Sequence, residues 1–227
     1  MSGERVGNGL CGEYRPLELV VLMIGKRSPI STRCYRAESW IRKANALPQS
    51  DTDGRFVFYW IAFNALYGQP KYLPGSDSDE ESDIKKFFAA IIPLDRRNLI
   101  RSELDGLKFD VDELTNDIFL NKRCWVEWHQ RELETARERI KYPFFAGKRD
   151  FGLTGMFKSL YVLRNQLFHG CSADRGSKNR DALKRAVKVL GILVPIFKEI
   201  VNEQENDGRL NALLGELPYP PSTDGIG

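Results

Sequence analysis

The chain has 227 residues, 42% hydrophobic and 29% charged, with a net charge of +3. That length suffices for one full domain with a sizeable core, and the balance is that of an ordinary globular protein. A pI of about 8.6 permits nucleic-acid binding without arguing for it, since a strong electrostatic footprint is more basic and more clustered.

Cys11, Cys34, Cys124 and Cys171 are scattered and form no CxxC pair. That favours reduced thiols in a cytosolic protein over a disulfide framework or a zinc site. Neither of the two histidines stands at metal-ligand spacing from a cysteine, so no metal and no cofactor is expected. The start, Met1 to Gly12, is polar and Gly-rich, unlike a signal peptide. Leu19 to Ile24 is far shorter than the roughly 20 residues a bilayer needs, and the apolar stretch near Leu190 to Phe197 is short and holds Pro195. The expectation is a cytoplasmic protein without a membrane segment.

Residues 1–30 read as an irregular N-terminal extension, in which Leu17 to Ile24 packs as a short strand or helical turn. Residues 31–205 read as one helical domain and 206–227, with Pro218, Pro220 and Pro221, as a weakly ordered tail. Ser31-Thr32 is the expected cap of a helix from about Cys34 to Leu47, stopped by Pro48. A turn at Asp51 to Gly54 precedes a helix over Phe56 to Tyr67 that is apolar on nearly every side and so buried all round. Asn64 is its one strongly polar side chain. It is either a core amide bonded to nearby backbone or a residue facing the Arg164 site.

Ser76 to Asp83 reads as a solvated acidic loop whose charges suit the start of the next helix. Helices are then predicted at about Ser82 to Ile92, Asp95 to Leu104, Asp110 to Leu120 and Lys122 to Ile140. His129 lies on the last of these, a salt-bridged and solvated helix where an imidazole is ordinarily structural. A glycine-containing loop over Tyr142 to Gly155 leads into a helix from about Thr154 to His169. A second loop, Cys171 to Ser177, precedes a long helix from about Lys178 to Glu205, kinked at Pro195. The fold class is all-α, a bundle of five to eight helices.

The helix before Gly170 carries the chemistry. At about 100° per residue, Leu153, Phe157 and Leu160 share one face, and Arg164 falls near the centre of it. A cation there is costly unless something pairs with it. His169 comes five residues later, and Gly170 stands where a helix would stop. RNA is cut without metal when a base removes the 2′-hydroxyl proton, the oxygen attacks phosphorus and the 5′-oxygen leaves. Imidazole suits the proton transfer. A guanidinium suits the pentacoordinate phosphate, because its fork of donors matches two oxygens. Asn165 shares a helix face with His169, four residues on, and can orient it or bond a phosphate.

Arg164 and His169 point about 140° apart and sit about 7.5 Å apart along an ideal helix axis. A working site therefore needs the helix to unwind near Gly170 or a second copy related by a two-fold axis. Beyond the motif, Arg175, Lys178, Arg180, Lys184, Arg185 and Lys188 face only Asp174 and Asp181. This basic run is either a phosphate-contacting flank or a solvated helix face. Tyr161 and Phe168 are expected to pack in the core, with base stacking as the alternative.

Arg164-Asn165-Gln166-Leu167-Phe168-His169 resembles the R-x4–6-H motif of the HEPN superfamily, with the polar residue that often follows the arginine. The aromatic helix Tyr59 to Tyr67, the motif at the end of a later helix and the long helix after it also resemble that family, over roughly Phe56 to Glu205. The resemblance implies an up-and-down helical bundle that forms a homodimer, with the motifs of both subunits lining one cleft. It also implies a metal-independent endoribonuclease acting on RNA, in toxin–antitoxin, phage-defence or RNA-processing systems. An antitoxin or other regulatory protein would be a further partner. Arg164 and His169 would be catalytic and Asn165 supporting, while Asn64 stands where family members often carry an acidic residue. Two other readings remain open. One is a non-catalytic HEPN-like module that binds a partner protein, nucleotide or RNA. The other is an unrelated helical interaction protein in which Arg164 makes a buried salt bridge, for example to Glu127 or Glu38.

Overall fold

The structure, a computed structural model, describes residues 28–68, 79–121, 149–170, 176–177 and 179–214. Among these there are eight α-helices and no strand, so the fold is all-α. We number them α1 (Pro29–Ala46), α2 (Thr52–Tyr67), α3 (Glu80–Ile91), α4 (Leu99–Gly106), α5 (Lys108–Asn116), α6 (Arg149–Phe168), α7 (Arg180–Asn202) and α8 (Gly208–Leu214). Short 3₁₀ turns follow α3 at Ile92–Leu94 and α5 at Ile118–Leu120. The expected Lys122 to Ile140 helix, with His129 and Glu127, lies outside the described residues. So do Leu17 to Ile24, Cys11, Cys124 and Cys171. Cys34 is a buried free thiol, and burial pushes it up to about 11.

Several boundaries differ from the sequence expectation, each for a local reason. Helix α1 starts at Pro29, five residues before Cys34. Ser28 is its cap, accepting the Ser31 N–H at 3.0 Å, and proline suits the first helical position because it lacks the N–H that would be orphaned there. The Asp51 to Gly54 turn is instead the start of α2, with the Asp51 carboxylate accepting the Gly54 N–H at 2.9 Å. Helix α6 begins at Arg149 inside the expected loop. Burial of Leu153 and Met156 offsets the roughly 1 kcal/mol by which each glycine disfavours helix. Past Asn206 the expected weak tail holds α8, whose Leu210 and Leu214 are buried. Residues 215–227 are outside the described residues.

Helix α2 is the hub. None of its residues is fully exposed, as its apolar sequence predicts. It packs on α1 and α7, with α3 beside it. Phe63 at its centre meets Tyr67 and Phe157 at ring-centroid distances of 4.5 Å each, Phe87 at 5.8 Å, Phe88 at 5.9 Å and Phe197 at 6.0 Å. These tilted, edge and stacked contacts join α2, α3, α6 and α7 into one aromatic core. The C-terminal half of α2, from Trp60 to Tyr67, thereby brings the α6 motif and the start of α3 to one end of the molecule. No helix among the described residues is long and apolar enough to cross a membrane.

Candidate functional site

Helix α6 presents its residues as the 3.6-residue period requires. Leu153, Phe157 and Leu160 are wholly buried, and Arg164 lies on the same face. Its side chain retains 22% exposure. The partner is Glu80, 11% exposed, with Arg164 Nη1 3.6 Å from Glu80 Oε2. Glu80 belongs to the acidic stretch expected to be solvated. It instead forms the first turn of α3, capped by Asp79, and Asp83 beside it is buried. Negative charge at this helix N-terminus is favoured by the exposed backbone N–H groups, so one carboxylate serves two purposes.

Tyr67, the last residue of α2, donates its hydroxyl hydrogen to Glu80 Oε1 at 2.7 Å. Burial, then the charge of Glu80 and this hydrogen bond, push the Tyr67 phenol far above its ordinary value; Arg164 opposes the shift. Tyr67 therefore stays a protonated donor at any physiological pH. Glu80, on the helix after α2, and not Asn64, is the side chain that meets Arg164 from this end of the fold. Asn64 itself is half-buried beside Gly68, and among the described residues no hydrogen bond joins it to Arg164.

Arg164 is tethered rather than saturated. Nη1 donates to Asn165 Oδ1 at 2.8 Å, so Asn165 orients the arginine and not His169, whose only link to it is the backbone N–H to Asn165 O at 2.9 Å. The guanidinium lies over the Phe168 ring at 5.0 Å and the Tyr161 ring at 5.7 Å, within cation–π range. Its Nε is buried without an acceptor, as is Trp60 Nε1, and the Trp60 ring lies 6.4 Å from that of Tyr161. Glu80 and Asn165 Oδ1 are the acceptors of this corner: they take the Tyr67 hydroxyl and Arg164 Nη1, and Arg164 Nη2 makes no hydrogen bond among the described residues, the donor left for an anion.

The rest of the motif divides. Tyr161 packs against the core as expected. Phe168 does not; it is 50% exposed, because α6 ends there and no further element covers it among the described residues. His169 is exposed. Gly170 has φ +69°, the left-handed conformation glycine adopts without a Cβ clash, so the chain leaves the helix where expected. The helix does not unwind before it, and Arg164 and His169 remain on different faces.

Gln166 is the motif residue that sequence reasoning passed over. It is 8% exposed, donates to Phe119 O at 2.7 Å and accepts from Asn179 Nδ2 at 2.6 Å. It thus pins the end of α6 to the turn after α5 and to the left-handed Asn179 (φ 59°) that starts α7. Its position opposite Arg164 on the helix was the available signal. Gln166→Ala is expected to cost about 1–3 kcal/mol by leaving these buried groups unpaired, read as a lower urea midpoint.

The basic run is dispersed. Arg175 and Lys178 lie outside the described residues. Arg180 makes a two-pronged pair with Asp53 at 2.6 and 3.0 Å. Arg185 pairs with Asp110 at 3.1 Å and Lys188 with the same carboxylate at 2.6 Å. Lys184 is exposed and reaches Asp181 at 3.3 Å. Glu38 is taken by Lys198 at 2.5 Å, so it is not the partner of Arg164. Among the described residues no three His, Cys, Asp or Glu side chains gather as a metal site.

No family model, curated protein or solved structure matches the chain. Fold and site together define a class: an all-helical protein with a half-buried, ion-paired arginine and an exposed histidine at the end of one helix.

Proposed function

We propose that the protein is a metal-independent endoribonuclease of HEPN type, acting as a homodimer whose two motifs face each other. One observation carries this reading: a half-buried guanidinium held on an apolar face by Glu80 and Asn165, its Nη2 in no hydrogen bond among the described residues, next to an exposed Phe168 and His169. Arg164 stabilises the charge on the pentacoordinate phosphate. His169 takes the 2′-hydroxyl proton as the 2′-oxygen bonds to phosphorus. The P–O5′ bond breaks and the 5′-oxygen takes up a proton, leaving 2′,3′-cyclic phosphate and 5′-hydroxyl ends. A two-fold axis at the end of α6 brings one copy's histidine toward the other's arginine, which a single helix keeps about 140° apart. It also covers Phe168. Arg175 and Lys178 keep the phosphate-contacting role, whereas Arg180 is occupied by Asp53. A toxin–antitoxin or phage-defence setting, with an antitoxin as partner, fits such an activity.

The test is RNA cleavage in EDTA by the wild type and by His169→Ala, with analysis of the ends. His169 is exposed, so the variant should keep its melting temperature while cleavage falls by about 10²–10⁴-fold. Cleavage that persists in His169→Ala, or that leaves 3′-hydroxyl ends, would sink the mechanism. The Arg164–Glu80 pair favours a second reading, a non-catalytic helical module that binds a partner protein, nucleotide or RNA. On that reading RNA affinity, if present, survives His169→Ala and no RNA is cut.

A further inference from the structure

A cleft of about 400 Å³ opens between the α1–α2 turn, α2 and α7. It is separate from the motif: on α2 its residues Arg55 and Tyr59 lie about 80–140° around the helix from Trp60 and Tyr67. Its walls carry Arg55, Lys184 and Lys188, and no carboxylate lines it. Lys184 and Lys188 pair with Asp181 and Asp110, which are not part of the lining, and Arg55 is in no ion pair among the described residues.

Each cation has capacity to spare. The Lys184–Asp181 pair is on the surface, with 64% and 84% exposure, so it holds Lys184 weakly. Lys188 shares Asp110 with Arg185, and that carboxylate keeps a partner when Lys188 turns away. Arg55 Nη1 donates to Gln49 Oε1, and its Nη2 makes no hydrogen bond among the described residues. The guanidinium lies 5.9 Å from the Tyr59 ring centroid.

The floor is made for an organic body. Tyr59, Val187 and Ile192 form it. Gly191 sits mid-helix in α7, where glycine costs about 0.5–1 kcal/mol against alanine. A Cβ there would come within 3.1 Å of the Tyr59 hydroxyl oxygen. The glycine therefore lets Tyr59 lie close against α7, with its hydroxyl donating to Asn45 Oδ1.

We propose that this cleft binds a small organic diphosphate, its phosphates among Arg55, Lys184 and Lys188 and its organic part on Tyr59, Val187 and Ile192. A guanidinium fork with two ammonium groups matches a diphosphate better than a single carboxylate. The volume is that of a small-molecule site. The proposal does not rest on RNA cleavage, and Arg164 and His169 take no part in it.

Calorimetric titration of the full chain with inorganic pyrophosphate and with ADP tests it. Both probes should saturate one site per chain, ADP more tightly because it also covers the floor. Lys184→Gln with Lys188→Gln should weaken binding by about tenfold or more at an unchanged melting temperature, because both side chains are exposed. Arg55→Gln should weaken binding to a similar extent. Absence of saturable binding by either probe would overturn the proposal, as would binding untouched by the lysine pair. Binding of a single-stranded oligonucleotide with none of pyrophosphate or ADP would equally overturn it, in favour of an RNA-backbone surface.

Discussion

Arg33→Met is expected to destabilise the protein by about 3 kcal/mol or more, a fall in Tm of roughly 6–12 °C for a domain of this size. Arg33 has no exposed surface. Its Nη1 faces the carbonyls of Ala65 at 3.3 Å, Leu66 at 3.2 Å and Gly68 at 2.9 Å, and its Nη2 donates to Leu214 O. The last carbonyls of a helix have no partner within it and carry the negative end of its dipole. Arg33 answers both at the C-terminus of α2 and ties the end of α8 to the same point. Burial pushes the guanidinium down to about 10, so it stays charged at neutral pH. Methionine keeps the apolar stem but not the guanidinium, so the loss combines the missing donors with the small space they leave. A Tm within about 2 °C of wild type would mean that water satisfies those carbonyls equally well. Because these residues precede the Tyr67–Glu80–Arg164 cluster, unfolding here should also loosen the candidate site.

The patterns that the sequence carries locally are the ones the structure keeps. The 3.6-residue spacing of Leu153, Phe157, Leu160 and Arg164 placed all four on one face, and Gly170 ended the helix, because both depend on a single turn of chain. The all-round apolar α2 was buried for the same reason. What depended on distant chain was not legible. The partner of Arg164 is Glu80, far upstream, and nothing in the spacing distinguishes it from Glu38 or Glu127. Asp53 neutralises Arg180 and Asp110 neutralises Lys188 and Arg185 across the fold, so a basic run in sequence is not a basic face in space. Asn165 had two faces within reach, and the nearer cation took it. Arg33 was discoverable: it falls among Ile30, Cys34, Ala37 and Ile41, which are buried on α1, and a cation among them needed acceptors just as Arg164 did.

Arg164→Lys separates the two readings of the motif. At 3.6 Å the Arg164–Glu80 attraction is opposed by the desolvation of both ions, and the two nearly cancel in such half-buried pairs. Deleting the arginine is a poor discriminator, because it strands Glu80 beside Tyr67 and lowers stability whatever the function. Lysine keeps the charge beside Glu80 and keeps stability within about 1 kcal/mol. It loses the planar fork that grips two phosphate oxygens. If Arg164 stabilises a transition state, Arg164→Lys should cut RNA about 10²–10³-fold more slowly than wild type at nearly the same Tm. Glu80→Gln, which still accepts from Tyr67, should alter cleavage far less than Arg164→Lys does. If the arginine is a structural stitch between α3 and α6, lysine should satisfy Glu80. Glu80→Gln and Arg164→Ala should then cost stability non-additively in a double-mutant cycle, with no change in any RNA product. A full rate of cleavage in Arg164→Lys would show that a point charge suffices, and would count against a two-oxygen grip on the phosphate by this side chain.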